Sequence, residues 1–278
     1  MIREIRTGSD ETILDGESTG GLGPLVFSHP AGTFALTPAS HILLNAIAEN
    51  QASIHGVGMD WGSGIGCQAI LAARIPAVQI VYGLEISQEN VKTASRNAAG
   101  NGVTGKAAFF EADSYAPFDE EDRKAVRALR GNVDFILSNP PSSDWDDGFG
   151  FRRIVMDGAR AFLKTGGIVF LNISYQYGPD RIASLHRDGS GFIYEGVVAS
   201  TNWVPFDLGR QDLLDCLRLY ALEEEKGGRD YAFSTDGRDG AFVNARTALR
   251  NYEDQGVSPL TKWQTHRFSY IGCNSLLP

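Results

Sequence analysis

The chain has 278 residues, of which 42% are hydrophobic and 21% charged, with 34 acidic against 25 basic side chains. This is the composition of an ordinary globular protein, and it excludes a largely disordered, collagenous or coiled-coil chain. The net charge of −9 excludes a strongly basic nucleic-acid-binding surface as an average property, although a local basic patch is compatible with it. The length predicts one large domain, or one domain with an appendage.

The sequence carries no signal for secretion or for membrane insertion. Three cysteines, Cys67, Cys216 and Cys273, are few, odd in number and far apart, which argues against a disulfide framework and favours a reducing compartment. No apolar run approaches the roughly 20 residues that span a bilayer, and residues 1–10 are too polar for a secretory signal. We therefore expect a cytoplasmic protein that does not use a membrane.

The first predicted elements are an arm and a helix. Residues 1–24 are polar and glycine-rich and are interpreted as a loosely ordered arm. Thr37 is a good helix N-cap and Pro38 suits the first helical position, so a helix is predicted to begin there.

Five alternations of strand and helix follow. Strands are predicted over residues 57–61, 78–85, 107–113, 133–138 and 168–173. Helices are predicted over residues 66–74, 119–130 and 151–163, and Gly166 and Gly167 are expected to stop the last of these. A further helix is predicted to begin after a cap at Ser87 and to end in the turn at residues 100–102. Such alternation predicts a doubly wound, mostly parallel α/β sheet with helices on both faces. Ligands of these sheets bind beyond the carboxyl ends of the strands, so functional residues are expected in the loops that follow strands.

The pattern is less regular beyond residue 175. Strands are predicted over residues 192–199 and 267–273, and a helix over 211–226. Residues 201–265 would then be an insertion between the last two strands, near the substrate face if it leaves from a carboxyl end. Four of its residues are interpreted as core packing, with pocket lining as the alternative: Trp203, Pro205, Phe206 and Asp207.

The first motif that can carry chemistry is a glycine-rich turn after the strand at 57–61. It runs from Asp60 through Gly62, Ser63 and Gly64 to Gly66. Glycines let the backbone pass close to a ligand, and the helix start offers unpaired N–H groups and a partial positive charge. Dinucleotide enzymes favour the spacing G-x-G-x-x-G, whereas this turn has G-x-G-x-G. A tight turn without a ligand is the structural alternative.

Acidic residues end the next two strands. Glu85, which precedes Ile86, stands where a carboxylate can accept both hydroxyls of a ribose. Asp113, which precedes Ser114, stands where an acidic group can hold an adenine amino group. The structural alternatives are a solvated glutamate at a strand end and an aspartate that caps the next segment.

Asn139, Pro140, Pro141 and Ser142 follow the strand at 133–138. Consecutive prolines fix φ and restrict the preceding residue to extended conformations. The side-chain oxygen of Asn139 and the carbonyl of Pro140 can thus be held at fixed angles, and two fixed acceptors suit an NH2 group. A plain strand terminator is the alternative.

In this order, the motifs resemble those of the class I S-adenosylmethionine-dependent methyltransferases. Within that class they resemble the Asn-Pro-Pro branch, which methylates planar nitrogens of glutamine, adenine and guanine. The resemblance covers residues 30–175, and residues 31–47 look like the segment that closes over the cofactor in that branch. It implies a seven-stranded Rossmann-like sheet, with residues 1–36 as an arm and cofactor-closing segment and residues 37–278 as the methyltransferase domain.

The resemblance also implies S-adenosylmethionine as the cofactor and a role for each motif. The aspartate and glycines of the turn would hold the methionine part, Glu85 the ribose and Asp113 the adenine. Asn139, Pro140 and Pro141 would be catalytic and would aim the lone pair of the target NH2 at the methyl carbon. The implied cofactor-binding residues are Thr37, Asp60, Gly62, Ser63, Gly64, Gly66, Glu85, Ile86, Asp113, Ser114 and Asn139.

One position departs from the branch, because the residue after Asn-Pro-Pro is usually a Tyr or Phe that stacks on the target, whereas here it is Ser142. Tyr115, Trp145 and Phe149 are candidates for the missing ring. A nitrogen in RNA or protein is the leading expectation, and the departure favours the alternative of a small-molecule O- or N-methyltransferase. A dinucleotide-dependent oxidoreductase and a non-catalytic partner subunit are further alternatives.

The remaining motifs add no second chemistry. The histidines show no metal-ligand spacing, so no metal site is predicted: His29, His41, His55, His186 and His266. The sequence predicts neither a DNA-binding module nor a particular oligomeric state.

Overall fold

The computed structural model describes residues 6–7, 10–33, 36, 38–143, 146–187, 191–238, 240 and 242–272. Its elements, in chain order, are β1 (Arg6–Thr7), β2 (Glu11–Leu14), β3 (Leu25–Ser28), α1 (Pro38–Glu49), β4 (Gly56–Trp61), α2 (Cys67–Ala73), β5 (Val78–Glu85), α3 (Gln88–Gly100), β6 (Ala107–Asp113), β7 (Ala116–Pro117), α4 (Glu120–Ala128), β8 (Val133–Ser138), α5 (Gly150–Phe162), β9 (Leu163–Asn172), α6 (Pro179–Arg187), β10 (Phe192–Ser200), β11 (Val204–Pro205), α7 (Gln211–Glu225), β12 (Phe233–Ser234), β13 (Phe242–Val243), α8 (Ala245–Gln255), β14 (Leu260–Thr261) and β15 (Gln264–Tyr270).

The central sheet has the strand order β10-β15-β9-β8-β4-β5-β6-β7. Strands β9, β8, β4, β5 and β6 run parallel to one another, whereas β15 is antiparallel to both β9 and β10. Two buried clusters hold the layers together, one with side chains of α1, α2 and α3 and the other with those of α4, α5 and α6. The predicted doubly wound, mostly parallel seven-stranded sheet is confirmed, with the short β7 added at one edge.

The predicted end of α5 at residue 163 is confirmed to within one residue, but the expectation that Gly166 and Gly167 stop this helix was wrong. The helix ends at Phe162 and β9 begins at the next residue, so Gly166 and Gly167 lie inside a strand. Val133 pairs with Leu163, and the register then shifts before the pairing resumes at Ile168. Gly166 has a φ of +85°, which only glycine adopts at little cost, and the extra residues form a bulge. The last strand also lies three positions earlier than predicted, and Cys273 falls outside the described residues.

The expectation of a loosely ordered N-terminal arm was also wrong for the described part of residues 1–24. Strands β1, β2 and β3 form an antiparallel sheet of their own. Its inward side chains Leu14, Leu25 and Phe27 are fully buried against the cluster that α1, α2 and α3 share. Buried and exposed side chains alternate along β2 and β3, but apolar and polar residues do not, so the segments ETIL and LVFS carry no period-two strand signal in the sequence.

Asn97 of α3 and Asn101, the residue that follows this helix, attach the N-terminal sheet to the domain. Asn97 accepts a hydrogen bond from the main-chain N–H of Ser28 and donates to its carbonyl, at 2.9 and 3.0 Å. Asn101 makes the same pair of bonds with Val26, at 2.9 and 2.7 Å. Asn97 and Asn101 are four positions apart and share one face at the end of the helix, and Val26 and Ser28 are two positions apart and face the same way along the strand. The two side-chain amides therefore make the hydrogen bonds that a neighbouring strand would make with β3.

Replacing Asn101 by alanine is expected to lower the free energy of unfolding by roughly 1–3 kcal/mol, because the N–H and carbonyl of Val26 would lose their partner. Urea unfolding followed by circular dichroism measures this change. Asn132→Ala is the matched control, since Asn132 bonds only nearby carbonyls from an exposed turn. Equal unfolding midpoints for the two variants would contradict the role of Asn101.

Residues 201–263 connect β10 to β15 and form a small sheet of order β11-β14-β12-β13, together with α7 and α8. Because β10 runs parallel to β9, its carboxyl end lies at the same edge as the ends of the parallel strands. The segment therefore starts on the side of the sheet where ligands bind. Of the helices in the described residues, none is both long and apolar enough to cross a membrane.

Candidate active site

A cavity of about 770 Å³ lies at the carboxyl edge of the parallel strands. Its volume falls within the roughly 300–1,000 Å³ typical of small-molecule sites. Most of the sequence-predicted site residues line it: Gly62, Ser63, Gly64, Glu85, Ile86, Asp113, Ser114, Asn139, Pro140 and Pro141. Thr37 and Trp145 lie outside the described residues.

The glycine-rich turn joins β4 to α2 and forms one wall of the cavity. Gly62, Gly64 and Gly66 all have positive φ angles, of 69°, 53° and 89°. Asp60 does not line the cavity; its side chain is 1% exposed and accepts a hydrogen bond from the N–H of Ala69 at 3.1 Å. Asp60 and Gly66 thus belong to the buried part of the turn and not to the cavity wall.

Burial raises the pKa of Asp60 to about 7, with a further contribution from the nearby negative charge of Glu85 and an opposing one from the Ala69 hydrogen bond. The unfolded chain releases this proton near pH 3.8. Between these values the folded state binds more protons than the unfolded state, so this contribution to stability is fully present below about pH 4 and is lost as the pH rises through about 7.

Wild type is therefore expected to lose stability relative to Asp60→Asn as the pH rises from about 4 to about 7, by at most about 1.4 kcal/mol per pH unit. The asparagine cannot titrate, so the comparison isolates this carboxyl from the others. Urea unfolding of both proteins across that range is the measurement. A difference that does not change with pH would contradict the raised pKa of Asp60.

Glu85 ends β5 and ties the glycine turn to the start of α3. Its Oε2 accepts a hydrogen bond from the N–H of Gly64 at 2.8 Å. Its Oε1 accepts from the N–H of Ser87 at 2.9 Å and from Asn90 Nδ2 at 3.3 Å. A carboxylate has about four lone-pair sites, so Glu85, which lines the cavity, retains acceptor capacity for a ligand.

Ser63 is an independent sign that a polar ligand fits this wall. Its side chain is 2% exposed, and its Oγ has no hydrogen-bond partner in the described part of the chain. Buried polar atoms are nearly always hydrogen-bonded. At neighbouring Gly62 a Cβ would meet only open space. An unpaired hydroxyl, free space and a strand-end carboxylate fit the amino-acid and ribose parts of S-adenosylmethionine.

The loop after β6 forms the next part of the wall. Asp113 is exposed there and lines the cavity. Ser114 has a φ of +56°, which is uncommon for a residue other than glycine. Its Oγ accepts a hydrogen bond from the indole N–H of Trp61 at 2.9 Å, which ties this loop to the end of β4.

Asn139 is held by contacts with two other elements. Its Oδ1 accepts a hydrogen bond from Asn172 Nδ2 at 2.9 Å, and its own Nδ2 donates to Ser40 Oγ at 3.3 Å. Asn172 ends β9 and donates also to the carbonyl of Ala39 at 2.6 Å. The orientation of the Asn139 amide is thus fixed from both α1 and β9. Sequence reasoning missed Asn172, although it is a polar residue at the end of an apolar strand.

Among the described residues, the rings beside Ser142 are those of Tyr177 and Tyr220, and not those of the candidates Tyr115 and Phe149. Ser142 Oγ lies 2.6 Å from the hydroxyl of Tyr177 and 3.0 Å from that of Tyr220. Tyr115 instead donates a hydrogen bond to the carbonyl of Val155, and Phe149 is fully buried in the core. Burial holds the pKa of Tyr220 well above its ordinary value, so its hydroxyl stays protonated.

The segment 201–263 closes the cavity on another side. Pro205, Phe206 and Asp207 line it, so the interpretation of these residues as core packing alone was wrong. Trp203 lies 5.1 Å from Tyr175, ring centroid to ring centroid, and packs outside the cavity. The local sequence could not distinguish core packing from cavity lining, because Phe206 does both: it is 1% exposed to solvent and it lines the cavity.

Cys67 and Cys216 also line the cavity, whereas His266 does not. In the described residues no group of three His, Cys, Asp or Glu side chains is placed to hold a metal ion. Cys67 and Cys216 are free thiols. Burial lowers the pKa of His266 to about 4, and this side chain bonds Tyr194 and the carbonyl of Ile173.

A mostly parallel sheet with one inserted antiparallel strand, a glycine turn after its central strand and a carboxylate at the end of the next strand place the chain in the class of α/β proteins that bind a cofactor containing a nucleoside. The chain belongs to the methyltransferase small domain family, whose model matches residues 24–185. With that family it falls among the class I S-adenosylmethionine-dependent methyltransferases.

Two curated relatives are release factor glutamine methyltransferases. The chain is 26% identical over 161 residues to that of Thermodesulfovibrio yellowstonii, covering 51% of this chain and 56% of the relative. It is 29% identical over 199 residues to that of Cereibacter sphaeroides, covering 63% of each. The chain thus spans less than two thirds of either relative. A solved structure from Pyrococcus horikoshii, described as a presumed transferase, has a TM-score of 0.51 at 12% identity over 94% of this chain and 73% of that chain, which shows a shared fold alone.

Proposed function

We propose that this protein transfers a methyl group from S-adenosylmethionine to a nitrogen of an amide or exocyclic amine that Asn139, Pro140 and Pro141 hold. The observation that carries the proposal is that these residues border the same cavity as the glycine turn and Glu85. The similarity to release factor glutamine methyltransferases supports a glutamine amide on a protein as the first acceptor to test, with an exocyclic amine of RNA as the next.

The cofactor would lie along the wall formed by the ends of β4, β5 and β6. The N–H groups of the turn and the free hydroxyl of Ser63 suit the methionine part, Glu85 the ribose hydroxyls and Asp113 the adenine amino group. When bound, S-adenosylmethionine supplies an electrophilic methyl group on a positively charged sulfur.

The chain itself would contribute orientation at the acceptor. The lone pair of an amide or aromatic amine is delocalised and weakly nucleophilic. Asn139 Oδ1 and the carbonyl of Pro140 would accept its two N–H groups and turn the nitrogen lone pair toward the methyl group. Positioning of this kind can contribute roughly 7–11 kcal/mol in favourable cases. The hydroxyl of Tyr220, beside Ser142, would stay protonated and would not act as a base.

A small-molecule N- or O-methyltransferase is the second candidate, and the surroundings of Ser142 favour it. The hydroxyls of Ser142, Tyr177 and Tyr220 meet where a stacking ring would lie in the related branch. Phe206 and Trp263 add apolar walls to the same cavity. A compact acceptor with a polar edge suits such a pocket. Family membership disfavours the dinucleotide-dependent oxidoreductase.

Incubation with methyl-labelled S-adenosylmethionine and an extract of the host, followed by separation into protein, RNA and small-molecule fractions, distinguishes the candidates. Label in protein or RNA that disappears with Asn139→Ala would support the first. Label in the small-molecule fraction alone would support the second. Label in no fraction, or label that Asn139→Ala leaves unchanged, would contradict methyl transfer at this site.

A further inference from the structure

Arg152, on α5, is a buried arginine that joins the loops after β8 and β9. Its side chain is 4% exposed. Nε donates to the carbonyl of Asn172 at 3.1 Å, and Nη2 donates to the carbonyl of Pro140 at 3.2 Å. Nη1 donates to the carbonyls of Pro141 at 3.2 Å and Gly148 at 3.4 Å. One guanidinium group thus bonds the main chain on both sides of the acceptor end of the cavity.

Two aromatic rings fix the plane of this guanidinium. Its central carbon lies 4.7 Å from the ring centroid of Tyr177 and 5.5 Å from that of Phe149. A guanidinium is planar and stacks on ring faces, so the rings restrict its rotation while its N–H groups stay in a fixed fork. The carbonyls that it holds are therefore held in fixed relative directions.

Arg152 contacts, directly or through Asn172, the two protein atoms that are proposed to bind the NH2 group of the methyl acceptor. One of the two is the carbonyl oxygen of Pro140, which has two lone pairs, so a bond to Arg152 leaves one for a ligand. The other is Asn139 Oδ1, which Asn172 Nδ2 contacts at 2.9 Å. Arg152 bonds the main chain of Asn172 and of the residue next to Asn139, and so connects both atoms through one rigid group.

We propose that Arg152 is a positioning residue for methyl transfer: it sets the spacing and direction of the Pro140 carbonyl and the Asn139 amide that grip the acceptor NH2. The inference rests on the proposed function and adds to it a residue outside the sequence motifs. A lysine would keep the positive charge, but its single ammonium group cannot reproduce a planar fork that reaches three chain segments.

Arg152→Lys is expected to lower kcat by about 10- to 100-fold, because small misplacements of reacting groups cost this much. The acceptor is the fraction labelled in the extract experiment. The Kd for S-adenosylmethionine should stay within about twofold of wild type, since the glycine turn and Glu85 are untouched. The urea midpoint is expected to fall, because buried carbonyls lose their donor, so kcat is compared under conditions in which both proteins are folded. Arg153→Lys is the matched control: Arg153 is the next residue of α5, is only partly buried and pairs with Asp147 at 2.7 Å.

A second readout needs neither cofactor nor acceptor. In isotope-labelled protein, the side-chain amide NMR signals of Asn139 and Asn172 should shift in Arg152→Lys, while those of Asn97 and Asn101 should not. Assignment uses the four Asn→Asp variants. If these shifts occur in a protein that transfers no methyl group, the proposed function fails while the control of the loop geometry by Arg152 stands. Unshifted amides, unchanged kcat, or equal losses of kcat and cofactor affinity would each overturn the positioning role.

Discussion

Replacing Asn139 by alanine is expected to lower the rate of methyl transfer by about 100-fold or more while cofactor binding is retained. The change removes one of the two hydrogen-bond acceptors of the protein that would orient the target NH2. The remaining Pro140 carbonyl alone cannot align the lone pair of the target nitrogen with the methyl group. The fold should tolerate the change, because Asn172 keeps its bond to the carbonyl of Ala39. Single-turnover rates with methyl-labelled cofactor and calorimetric titration with S-adenosylhomocysteine measure the two properties separately.

Asn132→Ala is the control for this experiment as well, since it makes the same chemical change at an exposed position outside the cavity lining, at the opposite end of β8. Its rate and affinity should equal those of wild type. A normal rate in Asn139→Ala would show that the asparagine does not grip the acceptor. A loss of cofactor affinity as large as the loss of rate would place its role at the cofactor instead.

Glu85→Ala is expected to weaken cofactor binding by about tenfold or more, because each hydrogen bond from a ribose hydroxyl to a charged acceptor is worth about 1.5–3 kcal/mol. The loss has a second source in the protein. The N–H groups of Gly64 and Ser87 would both lose their carboxylate partner, which would loosen the turn that forms the cavity wall. Isothermal titration with S-adenosylhomocysteine gives the affinity.

Glu111→Ala is the matched control for Glu85→Ala. Glu111 is the register partner of Glu85 on the adjacent strand β6, and it does not line the cavity. The same truncation at the neighbouring position should leave affinity unchanged. An affinity of Glu85→Ala equal to that of wild type would contradict the ribose assignment.

The alternation of strands and helices could be predicted because each element of the central sheet carries its own local signal. β5, β6 and β8 have the predicted bounds, since apolar runs between turn residues fix them. The N-terminal sheet was not predicted, because its strands are short and β3 is held by the side chains of Asn97 and Asn101, about 70 positions away in the sequence. Local pattern carries no information on such contacts.

The site residues likewise divide into those that the order of strands predicts and those that depend on long-range packing. Residues that follow parallel strands could be assigned to one cavity because the topology brings those ends together, as for Glu85 and Asn139. Arg152, Tyr177 and Tyr220 were missed, since their roles depend on how helices and loops pack over the sheet. A signal existed for Arg152, which lies three and four positions before the buried Val155 and Met156 and so shares their inward face.

The central claim is that the cavity beside the glycine turn binds S-adenosylmethionine, and calorimetric titration of the wild-type protein tests it most directly. We expect one binding site for S-adenosylmethionine and for S-adenosylhomocysteine, weakened in Glu85→Ala and unchanged in Glu111→Ala, with no binding of NADH. Binding of NADH without binding of either adenosyl compound would contradict the account.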